Sequence, residues 1–267
     1  MLRFEKWEGL GNDFVVVEAA DVGADFGPKE ARILCDRRFG IGADGVLVVV
    51  RGEPGVDGRM IVWNADGSRP EMCGNGLRCV ASALVSPGQS ARLVIATDAG
   101  PRTCDLARDG DRAEVTIGMG RATFGEPLVV AIDGREHRFA TASMGNPHAI
   151  TFEPYAEALR DRVGPIVCTT PPEGTNVEFV AQEGEVLRVV VWERGVGYTL
   201  ACGTGACAVA AEAVRTGRAE HDRELRVALP GGELAIAIDP SFEVRMRGPA
   251  RRVFAGTTTL LADPRTG

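Results

Sequence analysis

Two tryptophans, Trp63 and Trp192, each stand ten residues ahead of a Cys-Gly-x-Gly element: Cys73-Gly-Asn-Gly76 and Cys202-Gly-Thr-Gly205. The repetition extends upstream in both halves. The first half runs from Leu10-Gly-Asn-Asp-Phe14, through a helical segment opening at Pro28 and Gly42-Ala-Asp44, to Trp63 and Cys73. The second runs from Met144-Gly-Asn-Pro-His148, through a helical segment opening at Pro154 and Gly174-Thr-Asn176, to Trp192 and Cys202. Proline to cysteine is 45 residues in one half and 48 in the other. Ordered self-similarity of this kind marks a duplication, with a period far longer than that of solenoid repeats. A chain of 267 residues then accommodates two domains of ordinary size.

The local pattern is rich in β-structure. Phe14–Val17, Val46–Val50, Met60–Trp63, Leu93–Ala96, Val177–Val180 and Leu187–Trp192 are apolar runs bounded by turn residues. Helices are expected from Pro28 to Arg37 and from Pro154 to Val163, because proline suits a first helical position. After Cys73, apolar residues recur at helical spacing up to Ser86-Pro87-Gly88. After Cys202, an alanine-rich stretch runs to Gly217 and is apolar around most of its circumference, which implies a buried helix. The expected class is α+β, with two homologous, pseudo-twofold-related lobes, each a curled sheet around a central helix, and an active site in the cleft between them. Residues 1–118 form the first lobe and 119–251 the second, with a C-terminal strand from 252–267 available to cross back and complete the first.

Composition excludes several functions. A net charge of −7 and a pI near 5.2 argue against a phosphate backbone as partner, since such binding runs on Lys/Arg clusters. Lys6 and Lys29 are the chain's two lysines, and neither sits where a pyridoxal Schiff base is expected. Seven cysteines is an odd number, no C-x-x-C occurs, and His137, His148 and His221 are scattered. A disulfide framework and a structural metal site are both disfavoured. There is neither an apolar run long enough to span a membrane nor a secretory leader pattern at Met1, so a cytoplasmic protein is expected.

Cys73 and Cys202 are equivalent by the repeat, and each opens a glycine-rich helix start. Glycines allow close backbone approach, and a helix N-terminus offers amide donors and partial positive charge suited to a carboxylate. The same field lowers a cysteine pKa from about 8.5, so two near-neutral thiols are expected to flank one carboxylate-bearing carbon. That arrangement fits removal of an α-proton on one face and delivery on the other, with helix-start amides stabilising the developing enolate. No cofactor is required. Cys35, Cys79, Cys104, Cys168 and Cys207 are read as buried packing residues.

On these residues the chain resembles the diaminopimelate epimerase family. The marks are Gly9-Leu-Gly-Asn-Asp-Phe14, Asn64-Ala-Asp-Gly67, Met72-Cys-Gly-Asn-Gly76, Gly145-Asn-Pro-His148, Gly174-Thr-Asn-Val177, Glu193-Arg-Gly195 and Ala201-Cys-Gly-Thr-Gly205. The resemblance implies cofactor-independent epimerisation of LL-diaminopimelate to the meso form, with Cys73 and Cys202 as the acid/base pair. It implies that the amides of Gly74, Asn75, Gly203 and Thr204 hold the reacting carboxylate. Asn12, Asn64, Asn146, Asn176 and Arg194 would recognise the amino acid, Glu193 would partner its ammonium, and His148 with Glu193 would tune thiol ionisation. A homodimer acting on a small amino acid, without metal, membrane or nucleic acid, is also implied. The family often carries glutamine where this chain has Gly45, and serine at Thr204. Two alternatives stay open at this point: the same chemistry on a histidine- or proline-type substrate, and a carboxylate-binding or redox protein.

Overall fold

The computed structural model describes residues 1–23 and 25–262. The chain divides into two compact units, Met1–Ile117 with the segment from Gly248 onward, and Gly118–Arg247. The part of the expected C-terminal strand that falls on 263–267 lies outside the described residues. Each unit is α+β, and each is a sheet gathered around one buried helix.

In the first unit, strands Leu2–Gly9 and Asn12–Glu18 pair antiparallel, Asn12–Glu18 runs parallel to Gly45–Val50, and Gly45–Val50 pairs antiparallel with Gly58–Asn64. Ser90–Ala96, Arg102–Asp109 and Arg112–Arg121 follow in order. The strand Glu243–Thr258 pairs its last part with the first strand, from Leu2↔Thr258 to Glu8↔Arg251. The helix Gly74–Leu84 touches five of these strands, and Gly74 through Ser82 are all buried.

The second unit repeats the plan. Pro147–Thr151 runs parallel to Asn176–Glu183, which pairs antiparallel with Val186–Glu193. Here the helix Gly203–Arg215 is buried except at Thr204 and Arg215. Alanine and glycine make that burial possible, since small side chains let a helix lie close to strands all round. Among the described residues no helix is long and apolar enough to cross a membrane.

Two expectations shift. The helix expected at Pro154 begins at Glu157 and runs to Thr169, through Pro165. Pro154 is not at its start because Ala156 keeps an extended backbone, and Tyr155 turns its ring onto Phe179 and its hydroxyl to His137. Gly164 lets this helix lie on Trp192, where a Cβ would come within 3.3 Å of the ring. The second shift concerns register. Trp63 pairs with Val46, and Trp192 with Val177. The counterpart of Asn176 is therefore Gly45, one residue beyond the expected Asp44.

Lys6, one of the two lysines, is buried in the first unit and bridges to Asp13 at 2.6 Å while donating to the Gly42 carbonyl. Arg37 joins Asp13 at 2.6 Å and Asp44 at 2.8 Å. Burial alone would raise the Asp13 carboxyl; hydrogen bonds from Arg37 and Lys6 outweigh it and hold the group down at about 2. A carboxylate lowered on folding stabilises the fold above its unfolded pKa near 4, and that stabilisation disappears as pH falls towards 2. Asp13→Asn should cost about 3 kcal/mol at neutral pH, because it strands buried Lys6, and should flatten the stability loss between pH 4 and pH 2. Urea unfolding at pH 7 and pH 3 measures both effects.

Candidate active site

In the first unit, Cys73 caps the helix Gly74–Leu84 from an extended backbone, and its Sγ accepts from the Gly76 N–H at 3.4 Å. Gly74 and Asn75 are the first two helical residues, whose amides in any helix lack an acceptor one turn back. Buried Asn75 donates through Nδ2 to Asn12 Oδ1 at 3.3 Å and accepts from the buried Arg78 guanidinium at 2.9 Å. Asn12 in turn donates to Asp44 Oδ2 at 2.8 Å. The Asp44 carbonyl accepts from the Ala65 N–H beside Asn64, and Asn64 Nδ2 donates to Ser68 Oγ at 2.9 Å. Asn12, Asn64, Cys73, Gly74 and Asn75 thus belong to one connected cluster.

The second unit builds a denser set. Cys202 caps the helix Gly203–Arg215, is 7% exposed, and lies 3.5 Å from Thr204 Oγ1. Asn146 Nδ2 donates to Thr204 Oγ1 at 3.3 Å, and Asn146 Oδ1 is 3.1 Å from His148 Nε2. Asn176 pairs beside His148 across parallel strands, and its Oδ1 accepts from the Arg194 backbone N–H at 2.9 Å. Arg194 is exposed, its guanidinium anchored on the Glu173 carbonyl at 2.5 Å. Glu193 accepts from the Thr199 hydroxyl. Burial raises the Glu193 carboxyl above its usual range, and the Glu178 charge adds to that, while Thr199, His148 and Cys202 pull it down.

The near-neutral thiol expected from the helix start is not what Cys202 shows. Burial pushes this thiol well above its ordinary value, and the charges of Glu193 and Glu178 push it further; the Thr204 hydroxyl and Gly205 N–H oppose them only in part. A helix terminus is worth at most about 2 kcal/mol to a charge, whereas removing a thiolate from water costs more. In this conformation burial and the two carboxylates favour the thiol form of Cys202 over the thiolate. Burial likewise pushes Cys35 and Cys104 up to about 12, and Cys79 and Cys168 upward. Cys207 is fully buried. Among the described residues, no cluster of His, Cys, Asp and Glu is arranged to hold a metal ion.

Sequence reasoning missed Glu178. It sits with no exposed surface in a strand whose neighbours Val177, Phe179 and Val180 are also buried. A charged residue inside an apolar parallel strand was the available signal, because an ionisable group is rarely buried without a specific partner. Asp44, which orients Asn12, was read only as a repeat landmark. Gly45 carries a further lesson: a Cβ there would lie 2.7 Å from the Trp63 carbonyl. Placing a glutamine at this position would require the strands to shift.

The two helices capped by cysteine, each inside its own curled sheet, place the chain in a fold class shared by several isomerases. A hydroxyproline epimerase from Agrobacterium vitis matches at TM-score 0.71 and 18% identity, over 100% of this chain and 93% of that one. Within that class the chain belongs to the diaminopimelate epimerase family. The family profile for diaminopimelate epimerase matches residues 4–125 and 140–253. A diaminopimelate epimerase from Synechococcus sp. (strain JA-2-3B'a(2-13)) is 44% identical, over 96% of this chain and 98% of that one. One from Synechococcus elongatus (strain ATCC 33912 / PCC 7942 / FACHB-805) is 42% identical, over 98% and 99%.

The close approach beneath the second helix start is directly testable. A Cβ at Gly205 would come within 2.6 Å of Glu178 Oε1 and 3.3 Å of Cys202 Sγ, while one at Gly76 would meet the movable Leu47 Cδ2 at 2.9 Å. Gly205→Ala should lower kcat/KM at least tenfold more than Gly76→Ala, and cost about 1–3 kcal/mol of stability as an overpacked site. Steady-state kinetics with urea unfolding of both variants measures the difference.

Proposed function

We propose that this chain inverts one α-centre of LL-2,6-diaminopimelate to give the meso isomer, without a cofactor, in lysine biosynthesis. The observation that carries the reading is a cysteine at the N-cap of the buried helix in each unit, in a chain of this family. Cys73 and Cys202 are the acid/base pair: one takes the α-proton as thiolate and the other delivers a proton as thiol to the opposite face. The amides of Gly74, Asn75, Gly203 and Thr204 hold the reacting carboxylate and stabilise the charge that develops on it.

The remaining roles follow from donor chemistry. Asn12, Asn64, Asn146 and Asn176 offer both donors and acceptors to a zwitterion, and exposed Arg194 suits the distal carboxylate through its planar fork. Glu193, whose carboxyl is raised by burial, meets the ammonium of the substrate, whose positive charge favours the ionised form. His148 and Glu193 tune the ionisation of the Cys202 thiol. A second polar end on the substrate, read by Arg194 and Asn176, favours diaminopimelate over histidine or proline. The same reading makes the protein a cytoplasmic homodimer.

Cys73→Ala and Cys202→Ala should each lower turnover by about 10²–10⁴-fold while leaving the melting temperature within a few degrees of the parent. Near-parental turnover in either folded variant overturns the pair. In heavy water at low conversion, the epimerised product should carry deuterium while recovered substrate keeps hydrogen, because a thiol holds a single proton and cannot return a solvent label to the face it attacked. Mass spectrometry of the separated stereoisomers reads both labels. A substrate panel including proline and histidine should show turnover of LL-diaminopimelate far above the rest.

A further inference from the structure

The two helix starts rest on different floors. Beneath the first lie Leu47, against Gly76, and Phe14, against Gly45, with Phe14 and Gly45 paired across parallel strands. In the second unit the same two places are taken by Glu178, against Gly205, and His148, paired with Asn176. An apolar pair in one unit is an ionisable pair in the other. Both ionisable side chains are completely buried, with His148 Nδ1 2.7 Å from Glu178 Oε1. Glu178 Oε2 has no hydrogen-bond partner among the described residues. Among the described residues, the hydrogen bond this carboxyl makes is its grip on His148.

Stability does not account for such a pair. Buried ion pairs seldom improve on apolar residues of similar volume, and Phe14 with Leu47 fill the equivalent space in the first unit. What the pair controls is direction. His148 Nε2 faces Asn146 Oδ1, which can only accept, so this nitrogen carries hydrogen. On its other side the ring is held by Glu178, with Nδ1 against Oε1. The Asn146 amide, oriented by these bonds, donates from Nδ2 to Thr204 Oγ1. The Thr204 hydroxyl hydrogen is then available to Cys202 Sγ, 3.5 Å away. If the amide turned over, Thr204 would donate back to Asn146 and could only accept from the thiol.

Resting on the two-thiol reading above, we propose that Glu178 is a positioning residue for the reaction. By holding His148 it fixes the direction of the Asn146–Thr204 hydrogen bonds, so that the Thr204 hydroxyl donates to the Cys202 sulfur and favours its thiolate. The ionisable groups facing this end of the helix are His148, Glu178 and Glu193, one from each of three adjacent strands. Glu178 and Glu193 oppose the thiolate by charge, and the chain of donors counters them. In the first unit Phe14 and Leu47 stand in the equivalent places, so the floors beneath the two helix starts differ.

The decisive variant transplants the floor of the first unit into the second: His148→Phe with Glu178→Leu in the full chain. It removes the Glu178 charge together with the donor chain, so charge alone calls for a fall in the Cys202 midpoint and the hydrogen bonds call for a rise. The pH dependence of iodoacetamide alkylation, with Cys73 and Cys202 followed separately by peptide mapping, is the readout. The midpoint for Cys202 should rise by about one pH unit, the scale of one hydrogen bond to an anion, while that for Cys73 stays put. No shift, or a fall, overturns the proposal; a fall would mean that the Glu178 charge outweighs the donor chain. Thr204→Val, which removes the last donor, should raise the same midpoint, and adding it to the transplanted pair should bring little further change. Fully additive shifts overturn the relay, and Thr204→Val still decides if the transplanted variant fails to fold. In turnover, kcat should fall about tenfold with KM little changed. Because alkylation does not depend on epimerisation, an inactive parent would reject the two-thiol function while leaving the relay to be judged by its own midpoints.

Discussion

A helix buried around almost its whole circumference can offer chemistry only at its ends. This constraint organises both units. Gly74 through Ser82 are buried in one, and all but Thr204 and Arg215 in the other. The strands leave no room for functional side chains along the helix, so the N-cap and the first turn are what it can present to a ligand. The N-terminus is also the end where unpaired N–H groups and the helix dipole favour an anion. Glycine then follows from geometry: at Gly205 a single added carbon would collide with the carboxylate beneath it. The connected asparagines continue the same logic, since Asn12 and Asn146 enter strands beside their own helix start and tie to Asn75 and Thr204 there.

Duplication supplies the scaffold twice, and divergence then assigns the copies different work. Gly45 and Asn176 occupy equivalent places, as do Leu47 and Glu178, and Phe14 and His148. In each pair the first unit is apolar or bare and the second is polar. The charged cluster of the first unit lies elsewhere, where Lys6, Arg37, Asp13 and Asp44 brace the start of the strand Asn12–Glu18. One unit therefore has ion pairs behind its asparagine, and the other a buried histidine–glutamate pair beneath its helix start.

Much of this was legible in the residues, for identifiable reasons. The tryptophan-to-cysteine spacing and the Cys-Gly-x-Gly elements located both helix starts, because cap chemistry is local and glycine-dependent. Asn12, Asn64, Asn146, Asn176, Glu193 and Arg194 were within reach through their motifs. Glu178 was not, since its significance lies in a partner thirty residues away in sequence that becomes adjacent only when two parallel strands pair. The register between Gly45 and Asn176 was misread by one residue for the same reason: strand pairing, not the Gly-x-Asp and Gly-x-Asn patterns, sets it. The strands from Arg102 to Ser143 went unassigned because their alternating polar and apolar residues form no continuous apolar run. The late start of the Glu157–Thr169 helix escaped because Tyr155 is claimed by a tertiary aromatic cluster.

The direction of the Cys202 ionisation shows why local rules fall short at such a site. Read locally, a cysteine at a helix N-terminus becomes more acidic. Folded, the same cysteine is enclosed, and burial with two nearby carboxylates overrides the helix. The opposing forces still matter, because proton transfer in both directions needs a group that neither holds its proton too tightly nor gives it up too readily. A substrate ammonium arriving at Glu193 would cancel one of the charges that oppose the thiolate, and the donor chain from His148 would stabilise it once formed. On the proposed two-thiol reading, the substrate itself makes the Cys202 thiol acidic, so that the reactive sulfur anion appears only when there is an α-proton to remove.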